Sequence, residues 1–129
     1  ITFPFHTNDN GVLCVYETGQ SVPFKIGRVF TISASKNASR GHHAHKECSQ
    51  LLVCVSGAIN VICDDGVDIS EYNLQNIACG LLIPPGLWTH QDYLDNSVMM
   101  VLCDHAYEEN DYIRNYNEFK MYAGLKNLK

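Results

Sequence analysis

Along the chain, apolar residues recur either in alternation or in short unbroken runs, separated by small clusters of turn-forming residues. Alternation with a period of two marks a strand with one buried face, and a short apolar run marks a strand buried on both. On this basis strands are predicted over residues 24–33, 50–55, 58–63, 67–74, 80–83 and 98–103. Ser56-Gly57 and Asp64-Asp65-Gly66 read as hairpin turns, because glycine supplies the positive φ that tight turns require. Many short antiparallel strands in 129 residues predict an all-β fold, a small sandwich or barrel of jelly-roll type. One stretch departs from this pattern. Tyr112, Tyr116 and Phe119 are spaced like one face of a helix, so a short C-terminal helix is predicted over 111–119, packed outside the barrel. No repeat, low-complexity tract or linker interrupts the chain, and 1–129 reads as a single domain.

Composition narrows the class. With 46% hydrophobic and 18% charged residues the chain has the makeup of a globular domain rather than a disordered one. A net charge of -5 excludes nonspecific nucleic-acid binding, since no basic stripe is available to neutralise phosphates. A small phosphorylated ligand needs only one or two well-placed arginines and stays open. Cys14, Cys48, Cys54, Cys63, Cys79 and Cys103 are scattered, form no CxxC, and sit mostly in apolar runs, so they read as reduced thiols of a cytoplasmic protein. No stretch is long enough to span a membrane. The chain begins at Ile1 rather than methionine, as a processed or excised piece of something longer would.

The candidate chemistry is concentrated in Arg40-Gly41-His42-His43-Ala44-His45-Lys46, followed by Gln50. In a strand, His43 and His45 project from the same face. Two adjacent imidazoles either bind a metal or move protons near neutral pH. A second cluster, Pro84-Pro85-Gly86-Leu87-Trp88-Thr89-His90, brings a third histidine beside a tight turn. Arg28 stands in an otherwise apolar strand, where an inward charge needs a partner, a diphosphate or a carboxylate.

Gly41, His43 and His45, with Gly80 through Pro84-Pro85-Gly86 to His90, resemble the two signature motifs of the cupin superfamily. Metal-binding cupins place a glutamate four or five residues after the two histidines; here Ser49 or Gln50 holds that place, and a neutral amide is a weaker ligand than a carboxylate. Together with Ser56-Gly57, the Pro84–Trp88 stretch and Asp111-Tyr112-Ile113-Arg114, the first motif resembles the nucleotide-sugar 3,4-ketoisomerases, metal-independent cupins acting on dTDP-4-keto-6-deoxyglucose in deoxysugar biosynthesis. The likeness runs from about Gly27 to Phe119.

The resemblance implies acid/base roles for His43 and His45, with no metal or cofactor. It also implies substrate contacts at Arg28, Arg40, Lys46, Gln50, Trp88 and His90: the arginines on the diphosphate, Trp88 as an apolar wall beside sugar or thymine. Moving a ketone from C4 to C3 requires removal of the C3 proton, which the adjacent carbonyl acidifies, so a neutral imidazole is a competent base. Activity is then expected to rise with pH through the ordinary imidazole range. Relatives pair through exchanged N-terminal strands, which implies a homodimer, and the apolar segments 1–5 and 12–15 suit such an added strand. A product destined for cell-surface polysaccharide, such as a lipopolysaccharide O-antigen, is implied as well. Thr31 stands where the family often has tyrosine, so a phenolic substrate contact is expected to be lost, and His42 replaces a commonly aromatic or apolar residue. Three other readings remain. One is a metal-dependent cupin such as a dioxygenase, with His43, His45, Gln50 and His90 around the ion. Another is a non-catalytic nucleotide-sugar binding module. The third is a 3,5-epimerase, ranked lower because no aspartate partner is found near His43 or His45 in the sequence.

Overall fold

The most apolar run, Gln50–Ser56, is the strand around which the rest is arranged. Its Leu52 and Cys54 point into one core and its Leu51 and Val53 into another. The computed structural model describes residues 1–127. In chain order the strands are β1 (Phe5–Asn8), β2 (Gly11–Cys14), β3 (Arg28–Ala34), β4 (Ser39–His45), β5 (Gln50–Ser56), β6 (Ile59–Asp64), β7 (Ile69–Leu74), β8 (Gly80–Ile83), β9 (Trp88–Tyr93), β10 (Ser97–Cys103) and β11 (Tyr112–Ile113). A helix, α1 (Tyr116–Asn127), closes the chain. A four-stranded sheet, β3-β10-β5-β8, faces a five-stranded sheet, β11-β4-β9-β6-β7, and β1-β2 form a separate hairpin. Every pairing between these strands is antiparallel, the all-β barrel that the turn spacing predicted.

Three apolar layers hold this together. The largest lies between the sheets and includes Leu52, Ile59, Val61, Tyr93, Met99 and Val101. A second, on the outer face of the four-stranded sheet, packs Leu51, Val53 and Leu102 against Phe3 and Val22 of the N-terminal segment. A third, on the outer face of the five-stranded sheet, packs Ala44, Trp88 and Ile113 against Phe119 and Ala123 of α1. Burying β5 on both faces explains its unbroken apolar run.

Strand 80–83 falls where the pattern put it, and the others shift for local reasons. β3 starts at Arg28 rather than residue 24 because the preceding segment folds back on residues 17–22, with the Ile26 amide donating to Thr18 Oγ1 at 3.2 Å. β7 starts at Ile69 because the Asp65 carboxylate caps the turn, accepting from the amides of Val67 (2.8 Å) and Asp68 (2.7 Å). Ser56-Gly57 is not a hairpin turn: β5 and β6 lie in different sheets, and this link carries the chain from one to the other. Gly57 has φ +90°, and a Cβ there would stand 2.6 Å from the Asn96 carbonyl oxygen, so the close crossing requires glycine.

β4 and β9 carry no apolar alternation, because Ser39–His45 and Trp88–Tyr93 supply polar side chains to a cavity. The helix begins at Tyr116, five residues later than its expected start at 111. Asn115 caps it, its side-chain oxygen accepting from the Glu118 amide at 3.0 Å. Residues 112–113 pair instead with β4, Tyr112 opposite His45 and Ile113 opposite Ala44.

Candidate functional site

The site is built on a β-bulge. Along β4 and β9, Arg40 pairs with Gln91 and Gly41 with His90, but the next pair is His43 with Thr89, so His42 is the extra residue. Gly41 and His42 both take positive φ, +94° and +59°. Without the bulge, residues 40, 42 and 44 would share a face; with it, Arg40 and His43 turn together to the inside. His42 is left outside, stacked on His90 with ring centroids 4.8 Å apart.

The resulting cavity, about 190 Å³, lies between the sheets. Its polar wall is Arg40, His43, Gln50, Gln91, Tyr112 and Arg114, and its apolar wall comes mainly from β3 and β10 through Phe30, Ile32, Met99 and Val101. Pockets for whole drug-sized ligands run to ~300–1,000 Å³, so this one has room for a group smaller than such a ligand. Two arginines line it and no carboxylate does. Arg114 is anchored by Glu109, Nε to Oε1 2.8 Å, and lies 4.2 Å over the Tyr112 ring.

His43 and His45 meet edge to face with centroids 5.1 Å apart, and Tyr112 lies 4.3 Å from the His45 ring. His45 Nδ1 is 2.8 Å from Asp111 Oδ2. That carboxylate also accepts from the amides of Glu47 (2.7 Å) and Cys48 (3.3 Å), which fixes its position. The aspartate partner that the sequence neighbourhood did not show therefore exists, 66 residues further along the chain. With Nδ1 engaged, Nε2 of His45 is the free nitrogen; it is buried, as is Nδ1 of His43, and neither has a hydrogen-bond partner among the described residues.

Burial holds His43 down at about 4, opposed by the Gly41 backbone and reinforced by the neighbouring His45. Burial lowers His45 too, against the hydrogen bond and charge of Asp111. Both imidazoles are thus neutral at pH 7, and the acid limb of activity is expected below the ordinary imidazole value rather than through it, which a kcat/KM profile from pH 4 to 8 will show. Stability follows with a definite sign. An unfolded His43 takes its proton near 6.5 and the folded one only near 4, so the unfolded state is favoured as pH falls through that window. At about 1.4 kcal/mol per decade this comes to roughly 3 kcal/mol. Between pH 7 and pH 4 the unfolding free energy of wild type, read from urea titrations, should therefore fall by about that much more than that of His43→Asn.

Several expected contacts are not in the cavity. Trp88 lies on the opposite face of β9, 8% exposed, with its ring 5.3 Å from Tyr116 and 5.6 Å from Phe119. His90 shares that outer face, its Nε2 3.5 Å from Asp92 Oδ2. A metal set of His43, His45, Gln50 and His90 is therefore not assembled. Lys46 is exposed, beside Glu108 and Asn110 at the outer end of the barrel. Thr31 points outward from β3 while its neighbours Phe30 and Ile32 line the cavity, so no contact is lost at Thr31. Arg28 faces inward, but its guanidinium is directed at Cys103 Sγ (3.6 Å) and Tyr112 Oη (3.4 Å). The arginines that line the cavity are Arg40 and Arg114. Among the described residues, ligand-type atoms of His45, Cys48 and Asp111 lie within 4.8 Å of one another, as do those of Cys48, Asp104 and His105. In the first group the Asp111 carboxylate is engaged by His45 and by the amides of Glu47 and Cys48.

Asp111, Tyr112, Arg114 and Gln91 are the site residues that sequence reasoning missed. The run Asp-Tyr-Ile-Arg carried the signal, since Tyr112 and Arg114 two residues apart share a face in extended chain. Reading Tyr112 as part of a helical stripe concealed it.

Comparison with known proteins fits this geometry. A curated relative from Aneurinibacillus thermoaerophilus, TDP-4-oxo-6-deoxy-alpha-D-glucose-3,4-oxoisomerase, is 41% identical over 131 residues, covering 100% of this chain and 94% of its own. QdtA, a sugar 3,4-ketoisomerase from Thermoanaerobacterium thermosaccharolyticum solved with TDP, superposes with a TM-score of 0.94 at 30% identity over 98% of this chain and 93% of that one. A histidine-to-asparagine variant of QdtA, solved with TDP-4-keto-6-deoxyglucose, gives 0.95 at 30% identity over 100% and 95%. Residues 1–124 match the family described as FdtA: WxcM-like, C-terminal, and the chain belongs to that family.

Proposed function

We propose that this protein is an isomerase that converts a dTDP-linked 4-keto-6-deoxyhexose to its 3-keto isomer by histidine acid/base catalysis. The observation that carries the reading is the pair of adjacent imidazoles: His43 lines a cavity with two arginines, and His45, edge-on to it at 5.1 Å and held by Asp111, keeps one unpartnered nitrogen. The relatives' names supply the substrate class: TDP-linked keto-sugars.

In the reaction His45 Nε2 takes the C3 proton, and the electron pair of that bond forms the C3–C4 double bond while the C4 carbonyl oxygen takes up negative charge. Asp111 stabilises the imidazolium that results. Gln91 and Tyr112 line the cavity as hydrogen-bond donors for the enediolate oxygens. His43, neutral and edge-on to His45, mediates proton transfer between O3 and O4. Return of the proton to C4 and collapse of the enediol leave the ketone at C3, with no net change in atoms or electrons. Arg114 and Arg40 hold the diphosphate at the mouth.

The test is NMR of dTDP-4-keto-6-deoxyglucose incubated with the protein in deuterium oxide. The 3-keto product is expected, with deuterium at C4 in proportion to how far the His45 imidazolium exchanges with solvent before it returns the proton; an unchanged sugar would make this a binding module, and loss of turnover on chelation would favour a metal enzyme.

We further infer a homodimer that exchanges N-terminal strands, supported by the exposed apolar side chains Phe5, Val12 and Leu13 on β1-β2. Light scattering should give twice the chain mass at micromolar concentration. Six free thiols suit a reducing, cytoplasmic compartment, and no helix among the described residues is long and apolar enough to cross a membrane. Supply of a deoxysugar for cell-surface polysaccharide is the pathway this chemistry fits.

A further inference from the structure

Arg28 is a cation turned into the protein with no carboxylate to meet it. Among the described residues none of the ion pairs involves it, and its Nε is buried without a partner. An unpaired inward charge is costly, and the groups that face this one are the Phe30 and Tyr107 rings, 5.3 and 5.5 Å from the guanidinium carbon, the Tyr112 hydroxyl and the Cys103 sulfur. Arg28 of β3, Cys103 of β10 and Gln50 of β5 are direct cross-strand neighbours in one row. Arg28 Nη2 and Gln50 Nε2 both donate to Cys103 Sγ at 3.6 Å. Cys103 has no solvent exposure, and the inward side chains that precede it on β10, Met99 and Val101, line the cavity.

We propose that Cys103 is carried as a thiolate, the counter-ion of Arg28, and that this pair is a positioning device for the site. Two N–H donors converging on one buried sulfur are the environment in which a thiol gives up its proton. The Cys48 thiol stands beside this sulfur, its Sγ donating to the Ser49 carbonyl oxygen at 3.4 Å, and Cys48, Arg28 and Gln50 together lower the Cys103 thiol against burial. Asp104 and His105, next along the chain, are paired with each other at 2.6 Å, and the Asp104 carboxylate, which also accepts from the Ser49 amide at 2.8 Å, stands within 4.8 Å of Cys48 Sγ, as does that of Asp111. Held by Cys103, Arg28 donates to Tyr112 Oη, so the phenolic hydrogen is left to point away from Arg28 and into the cavity that Tyr112 lines. Gln50, the residue at the glutamate position of metal cupins, is held by the same sulfur.

The consequence for turnover rests on the ketoisomerase reading; the ion pair itself does not. Thiolate absorbance at 240 nm, followed from pH 4.5 to 8.5, tests it on the whole protein. One thiolate is expected to appear with a midpoint below pH 8 in the wild type, and to be missing in Cys103→Ser and in wild type unfolded by guanidinium. Arg28→Met should move the midpoint by one pH unit or more toward the ordinary thiol value. A wild type with no step below pH 8, or a step that survives in Cys103→Ser, overturns the ion pair. For the positioning role, Cys103→Ser is expected to lower kcat about tenfold and to change the acid limb of its pH profile. Unchanged kcat and profile in a folded Cys103→Ser overturn that role. If the wild type converts no keto-sugar, the reading of the reaction fails, while the ultraviolet titration still decides the ion pair.

Discussion

Replacing His45 by asparagine is expected to lower turnover by ~10²–10⁴-fold, the usual cost of a lost general base. Asparagine keeps a polar side chain of similar reach and can still hydrogen-bond Asp111, so the barrel and the cavity wall should persist. It has no titratable nitrogen to accept the C3 proton, and its dipole cannot replace an imidazolium. Binding of the substrate, which depends on Arg40, Arg114 and the apolar wall, should therefore survive better than kcat. Solvent exchange at C3 of the keto-sugar is the measurement that reads proton removal alone. His43→Asn should lose turnover with less effect on that exchange, since His43 is assigned to the oxygens. If His45→Asn exchanges the C3 proton at near wild-type rate, the two roles are assigned the wrong way round or the pair is structural.

That division of labour was only half legible in the sequence. The spacing of His43 and His45 placed them on one face of a strand, which is a local property of extended chain. The choice between them depends on Asp111, whose contact with His45 spans 66 residues and is made from the end of a 3₁₀ turn, Glu109–Asp111, just before the two-residue strand β11. No periodicity marks so short an element. The inward turn of Arg40 depends on a bulge at His42, and a bulge leaves no reliable trace in a run of polar residues. Conversely, β5, β8 and β10 were readable because burial on one or both faces forces apolar patterns. The strands that build the core announced themselves, and the strands that build the cavity did not.

Trp88 illustrates the opposite error, a residue conspicuous in a motif whose work lies elsewhere. Its side chain leaves the five-stranded sheet on the outer face and forms, with Phe119, the center of the layer beneath α1. Trp88→Ala is expected to cost about 3–5 kcal/mol, the range for deleting a large buried aromatic side chain. Domains of this kind have only ~5–15 kcal/mol in total, so the thermal midpoint should fall by more than about 10 °C. The loss has a specific origin. Phe119 is fully buried and Tyr116 bonds Asp64 Oδ2 at 2.5 Å, so removing the indole ring takes away the surface on which the first turns of α1 rest. Because β11 leads directly into that helix, Tyr112 and Arg114 should loosen secondarily, raising KM modestly. A substrate wall at Trp88 would give the reverse pattern: KM raised tenfold or more with the thermal midpoint nearly unchanged. Thermal melts and steady-state kinetics on the same preparation separate the two outcomes.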